Sequence, residues 1–333
     1  MAEMLAGDPS APVSRRQLSG GLSQMTLAYR LDREDATAAD SVVVRIPPTS
    51  GPLEPYDSAI EAAVMAAAAR FGIAVPEVLM VEESTAKIGR PFYATRFVGG
   101  LLTSEGAFGP QADLERMAEA YVDQLAALHA IPVDAPLDDG RSLTELLGES
   151  PRKTPAEVLK RWPETLAKRD FEEPAYQQFI RRWLELRMPA TGDVDLALVH
   201  GDYRLGNMLW TEDSAIAAAM DWEEAGLGDP YYDLAWTLVG SFADEDDVLG
   251  LAERRWVIDR YAAQAGITID PQRLGWWEVA CGWSLLCTNA IGVISAAVEA
   301  VGLDVRAILY AYLNQRIALG LLPKIERYEL ESK

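Results

Sequence analysis

The sequence predicts an α+β chain of two lobes: a small, mainly antiparallel β lobe with one main helix, then a larger, mainly helical lobe. Three observations carry this. Short alternating and β-branched runs crowd into residues 15–98 around one Ala-rich helix. Long amphipathic patterns take over after Gly99-Gly100. The chain has 333 residues, more than a single core usually serves. The expected division is a disordered segment at 1–13, a first lobe at 14–98 and a second at 99–333, with the two glycines as the joint.

Each element has its own signal. The first thirteen residues are small and polar with two prolines, and are expected to lack structure. TLAYRLD and SVVVRIP read as strands, with DREDATAAD as the hairpin connection between them. Asp57 or Ser58 caps a helix that runs to Phe71, and Gly72 ends it. PEVLMVE and PFYATRFV read as two further strands. ADLERMAEAYVDQLAALHA is a strong amphipathic helix, and further helices are expected at 154–168 and 171–187. A strand-rich island spans Asp195 to Asp221, and the chain is then helical to about 326.

Bulk composition excludes several classes. No apolar run is long enough to cross a bilayer, and the N-terminus lacks the pattern of a secretory signal. Cys281 and Cys287 are the only cysteines, as expected of reduced thiols in a helix and a cytoplasmic protein. The formal net charge of −21 disfavours nucleic-acid and membrane partners, because it repels phosphate backbones and anionic lipid. Residues 1–98 hold 9 basic and 12 acidic side chains, so nearly all the excess lies in the second lobe. It reads either as a solvating surface, the commoner case, or as an attraction for a cationic substrate.

The chemistry is concentrated in HGDYRLGN at 200–207 and DWEEAGLGDPYYD at 221–233. Apolar strands flank the first segment, so its polar residues fall on a loop held by a rigid scaffold. A hairpin through MLW and AIAAAMD would set Asn207 beside Asp221. One amide oxygen and one carboxylate suit Mg2+, which prefers hard oxygen donors and retains waters. Asp202 can face a hydroxyl and accept its proton. Taken alone, Asp202 would read as a turn or capping aspartate. The two segments together indicate phosphoryl transfer. Asp229 reads as a cap and loop brace, and Asp233 as an anchor for backbone NH groups. There is no GxxxxGK[ST], GxSxG or CxxC, and two histidines leave little room for a zinc site or a Ser-His-Asp triad.

With these motifs, RQLSGGLSQMTLAYRL, VVVRIPP, PFYATRFVGG and LAALHAIP follow in order, and the chain resembles the aminoglycoside phosphotransferase and choline kinase superfamily. RIPP with PFYATRFVGG further resembles its acyl-CoA-dehydrogenase-associated branch. The resemblance implies a bilobal protein-kinase-like fold and a small-molecule kinase using Mg2+ with ATP or GTP. It implies that LSGGLSQ covers the nucleotide phosphates, with Ser23 among the donors. Arg45 stands where most kinases carry a phosphate-gripping lysine, and Glu61 where the acid paired with that lysine lies. Arginine keeps the charge, but its planar fork reaches phosphate differently. Thr95, Arg96 and Phe97 fall where adenine meets backbone groups. Arg204 lies where protein kinases commonly carry a lysine near the transferring phosphate. It reads equally as a stabiliser of γ-phosphoryl charge or as a partner of a loop acid. His200 and His129 match family positions and read as structural.

The acceptor is open. FADEDDVLG could meet amines, and the Trp-rich 276–292 stretch is more often core than a substrate wall. By the branch resemblance, a small hydroxyl compound such as a hydroxyacyl-CoA competes with an aminoglycoside. A protein kinase is disfavoured because GDPYYDLA follows Asp221 with no room for an activation loop. A nucleotide-binding pseudokinase is disfavoured by the intact Asp202, Asn207 and Asp221.

Overall fold

The structure is a computed structural model. It describes residues 8, 10–18, 24–33, 37, 40–48, 51, 53–102, 109–148, 150–189, 196–239, 248, 250–299 and 305–331, by backbone alone at 239, 293–299 and 305–311. The strands are β1 Val13–Gln17, β2 Met25–Leu31, β3 Ser41–Ile46, β4 Val78–Glu82, β5 Phe92–Arg96, β6 Ala197–Val199, β7 Met208–Trp210, β8 Ile216–Ala219 and β9 Gly226–Gly228. The helices are α1 Ser58–Arg70, α2 Leu114–His129, α3 Leu143–Leu146, α4 Pro155–Ala167, α5 Ala175–Leu186, α6 Tyr231–Val239, α7 Arg254–Ala265, α8 Pro271–Glu299 and α9 Val305–Glu331. The α+β class and the kinase-like order of sheet first, helices after, are as the sequence predicts.

Two compact units divide the chain. One gathers residues up to Asp113 together with Gly206–Glu223; the other holds Leu114–Leu205 and everything from Glu224 on, with Gly51–Leu53. This differs from the expected joint at Gly99-Gly100. Beyond those glycines Leu101 pairs with Trp210, exchanging N–H···O bonds of 2.9 and 3.0 Å, and so ties the β7–β8 hairpin to the first unit.

In the first unit five antiparallel strands take the order β1-β2-β3-β5-β4. Alternate residues of β2, β3 and β5 put Leu27, Val44, Ile46, Phe92 and Ala94 into one buried cluster, with Tyr29 and Met80 packed against it. Helix α1 starts where Asp57 accepts from the N–H groups of Ala59 and Ile60, as an N-cap should. Its small Ala62, Ala67 and Ala68 are buried. Gly72, at φ +85°, ends it as predicted. Of the segment expected to lack structure, residues 1–7 and 9 lie outside the described residues and Val13 opens β1. Part of the β2–β3 connection lies outside them too.

In the second unit α8 is the central helix, packed against α4, α5, α6 and α9. Trp276, Trp277 and Trp283 are wholly buried, so the Trp-rich stretch is core. The indole N–H of Trp276 donates to the Leu184 carbonyl at 3.0 Å, which satisfies the polar tip of a buried ring. Where α8 meets α9, Gly282 lies under Leu321 so closely that a Cβ would overlap it. Next to this contact Glu278 is buried but paired, with Arg254 at 2.7 Å and Lys324 at 3.0 Å. Cys281 and Cys287 are both free and buried. Among the described residues no helix is long and apolar enough to cross a membrane.

Candidate active site

The HGDYRLGN segment leaves β6 through a loop held from several sides. Asp233, on the first turn of α6, accepts from the backbone N–H of His200 at 2.6 Å and of Gly201 at 2.9 Å. It is thus the loop anchor that the sequence indicates. His129 Nε2 lies 3.3 Å from the same carboxylate, and its Nδ1 lies 2.7 Å from the Tyr261 hydroxyl. Gly201 adopts φ +86°, and a Cβ there would overlap the Glu224 carbonyl oxygen. His200 is fully buried and its Nδ1 accepts the backbone N–H of Asp202 at 3.2 Å. That bond fixes the tautomer and makes His200 a scaffold for the residue two positions on.

Tyr203 and Tyr121 bind each other reciprocally. The Tyr203 hydroxyl donates to the Tyr121 carbonyl at 2.8 Å, and the Tyr121 hydroxyl to the Tyr203 carbonyl at 3.2 Å. The loop between is therefore clamped at its middle residue. Arg204 Nε donates to both oxygens of Asp202 at 3.0 Å. Of the two readings of Arg204, the structure contains the ion pair with a loop acid, and that acid is Asp202 itself.

Glu224 is held by a second, part-buried cluster. Arg161 donates to its two oxygens at 2.9 Å each, and Lys153 lies 3.1 Å away. Burial alone would raise the Glu224 carboxyl, but the charges of Arg161 and Lys153 outweigh it and hold it at about 2. Burial and the nearby Arg161 lower the Lys153 ammonium, against the pull of Glu224. The same strand region sets Gly228 so close to Lys153 that only glycine fits. Asp229 braces the chain further on, accepting from Tyr231 N–H at 3.0 Å, from Trp277 at 2.6 Å and from Arg273 at 2.9 Å.

The first unit holds the other predicted residues. The β7–β8 hairpin pairs Met208 with Ala219, and Met220 N–H donates to the Asn207 carbonyl at 2.8 Å. Asn207 and Asp221 therefore sit at the same end of one hairpin. Asp221 takes φ +70°, an uncommon left-handed conformation outside glycine. Its Oδ1 accepts from Arg45 Nη2 at 2.6 Å. Arg45 lies in the interior strand β3. Burial disfavours its charge, and the neighbouring Tyr93, Asp221, Glu61 and Glu223 outweigh that and raise its pKa.

The expected ion pair of Arg45 with Glu61 is replaced by a different arrangement. Arg45 pairs with Asp221, while Glu61 accepts from the Tyr93 hydroxyl at 2.6 Å and from Gln24 Nε2 at 2.9 Å. Gln24 Nε2 also donates to Glu223 at 2.9 Å, and its Oε1 accepts from Arg45 Nε at 3.3 Å. Glu61 is buried, and burial raises its carboxyl despite Arg45, Tyr93 and Gln24.

Not every predicted residue joins this cluster. Ser23 lies outside the described residues, as does most of FADEDDVLG. Thr95 is buried in β5, and the backbone N–H groups of Arg96 and Phe97 donate to Glu77 and Ser41 carbonyls at 2.8 and 3.1 Å. Those two donors are engaged by the sheet. Asp202 and Arg204 stand in the second unit, Asn207 and Asp221 in the first, joined in sequence through Leu205-Gly206. Gln24, Glu223, Tyr121 and the Lys153–Arg161–Glu224 group escaped sequence reasoning. Only the odd run of two acids after Asp221-Trp222 offered a signal.

A model of the phosphotransferase enzyme family matches residues 14–277. Mouse acyl-CoA dehydrogenase family member 10 is 29% identical over 245 residues, which cover 72% of this chain and 21% of that protein. The chain thus spans about a fifth of that relative's length. Among solved structures, a Ralstonia eutropha protein provisionally assigned as an aminoglycoside phosphotransferase is similar at a TM-score of 0.71 and 20% identity, over 98% of this chain and 96% of that one. A thermostable mutant of the aminoglycoside phosphotransferase APH(4)-Ia, in ternary complex with AMP-PNP and hygromycin B, is similar at a TM-score of 0.60 and 18% identity, over 96% and 97%.

Proposed function

Because the chain belongs to the phosphotransferase enzyme family, we propose that it transfers the γ-phosphoryl group of ATP to a hydroxyl of a small molecule. The observation that carries this reading is the Arg45–Asp221 ion pair on the hairpin end that also bears Asn207. It would set a phosphate-facing cation beside a metal-binding carboxylate in one half-buried group. Asp202 acts as the base, oriented by His200 and Arg204, and takes the proton from the acceptor hydroxyl. Arg204 carries a positive charge beside the reacting hydroxyl, where charge develops on transfer. The donor set fits magnesium: the Asn207 amide oxygen and the Asp221 carboxylate are hard oxygens. When bound there, the ion would supply positive charge to the nucleotide phosphates.

ATP is the proposed donor, in line with the AMP-PNP complex of the APH(4)-Ia mutant. For the acceptor, the likeness to acyl-CoA dehydrogenase family member 10 favours a hydroxyacyl thioester over an aminoglycoside. The test incubates the protein with Mg·ATP or Mg·GTP and a panel of aminoglycosides, macrolides, choline, homoserine and hydroxyacyl-CoA thioesters. Mass spectrometry then reads acceptor-dependent release of nucleoside diphosphate and the phosphorylated product. Asp202→Asn is expected to lower kcat by about 10²- to 10⁴-fold. Transfer at near wild-type rate in that variant would sink the proposed base.

A further inference from the structure

The Gln24 side chain commits both of its N–H donors and one acceptor site to one charged cluster. It is 7% exposed, just ahead of β2. Its amide nitrogen donates to Glu61 and Glu223, and its oxygen accepts from Arg45. Around it stand three carboxylates, Glu61, Asp221 and Glu223, and one guanidinium. Only a primary amide offers two donors and one acceptor on a short planar head, as this position requires. A carboxylate there would have no N–H for Glu61 or Glu223, and an ammonium would have no acceptor for Arg45.

The same geometry accounts for arginine at position 45. Its Nε reaches Gln24 while its Nη2 reaches Asp221 at 2.6 Å. A lysine presents one nitrogen on a flexible stem and cannot form this fork. Arg45 and Glu61 are therefore joined through an amide. Glu61 is satisfied by Gln24 and by the Tyr93 hydroxyl, so the guanidinium is left directed at Asp221.

We infer that Gln24 is a positioning residue of the nucleotide site, matched to Arg45 so that the two replace a direct cation–carboxylate pair between β3 and α1. The inference rests on the phosphotransferase reading above. Gln24 acts through Arg45 and need not touch the nucleotide.

The test is calorimetric titration of Mg·AMP-PNP into the whole chain as wild type, Gln24→Met, Gln24→Glu, Arg45→Lys and Gln24→Met/Arg45→Lys. Thermal unfolding of each variant supplies the control for folding. Gln24→Met, which keeps the length and removes the amide, is expected to bind about 10- to 100-fold more weakly. Gln24→Glu, nearly the same shape, is expected to weaken binding as well, and it serves if the methionine variant does not fold. The double variant should bind no more than about 2- to 3-fold more weakly than the worse single variant, because the two residues act as one unit. In turnover assays the nucleotide KM should rise while the acceptor KM stays unchanged, a split that general loosening of the lobe would not give. Wild-type affinity in a folded Gln24 variant overturns the inference, and so does strict additivity in the double variant. A wild-type chain that binds no Mg·AMP-PNP instead overturns the phosphotransferase reading, and this inference with it.

Discussion

A carboxylate at position 202 can serve as a base only if its loop holds still, and Gly201 is where that requirement is sharpest. The backbone there is left-handed, and the Glu224 carbonyl occupies the space a side chain would need. Glu224 lies in the turn before β9, and its side chain is fixed by Arg161 and Lys153, so its carbonyl yields little. Gly201→Ala is therefore expected to lower stability by about 2–4 kcal/mol, measured by urea denaturation. An unchanged midpoint would show that the loop relaxes at no cost. Asp202, Asn207 and Asp221 were legible in the sequence because polar residues interrupting apolar strands have a chemistry that composition does not hide. Gln24 had no role of its own there, because within LSGGLSQ nothing local names its partners. Its partners Glu61, Arg45 and Glu223 come from three distant segments that only the fold brings together.

At the scale of elements, periodicity identified the long helices and β2, β3, β4 and β5, since each buries one face and its pattern shows it. Strand β9 was missed. Gly226–Gly228 has two glycines in three residues and no strand propensity, and its existence depends on pairing with β6. The first compact unit runs on past Gly99-Gly100 for a related reason. Two glycines are a strong local signal, whereas the Leu101–Trp210 bridge that continues the first unit is non-local. The α8–α9 contact gives a paired prediction of opposite signs. Gly282→Ala should destabilise by about 1–3 kcal/mol, since the methyl would meet Leu321 in a packed interface. Gly320→Ala, in α9 with nothing near the added carbon, should stabilise by up to about 1 kcal/mol through helix propensity. Urea midpoints that move in the same direction would refute the packing argument.

For the whole molecule, two charge-paired glutamates, the buried Glu278 and the half-buried Glu224, set the response to acid. Burial alone would raise Glu278, but Lys324 and Arg254 outweigh it and hold it at about 2, the same level as Glu224. The ordinary glutamate value is 4.5. Since folding lowers these pKa values, the stability they contribute is full above pH 4.5 and is lost as pH falls toward 2. The size is roughly 3 kcal/mol for each. Urea midpoints should fall through this window, and Glu278→Gln should show a shallower fall from a lower starting stability. A flat profile in the wild type would mean that the pairs are not formed. The formal net charge of −21 adds a separate expectation: added salt should raise stability at neutral pH by screening like charges.

The passage of the chain between units has a consequence for dissection. Neither compact unit is encoded by one continuous stretch, because Gly206–Glu223 belongs with the residues before Asp113. A fragment ending at Asp113 would keep Arg45, Glu61 and Gln24 but leave the guanidinium without Asp221, and would lack the β7–β8 hairpin that Leu101 and Ala74 hold through their backbones. Recombination between relatives that exchanged only the first lobe would likewise separate Gln24 from Glu223. The two stretches must be inherited together, so a chimera should keep both from the same parent.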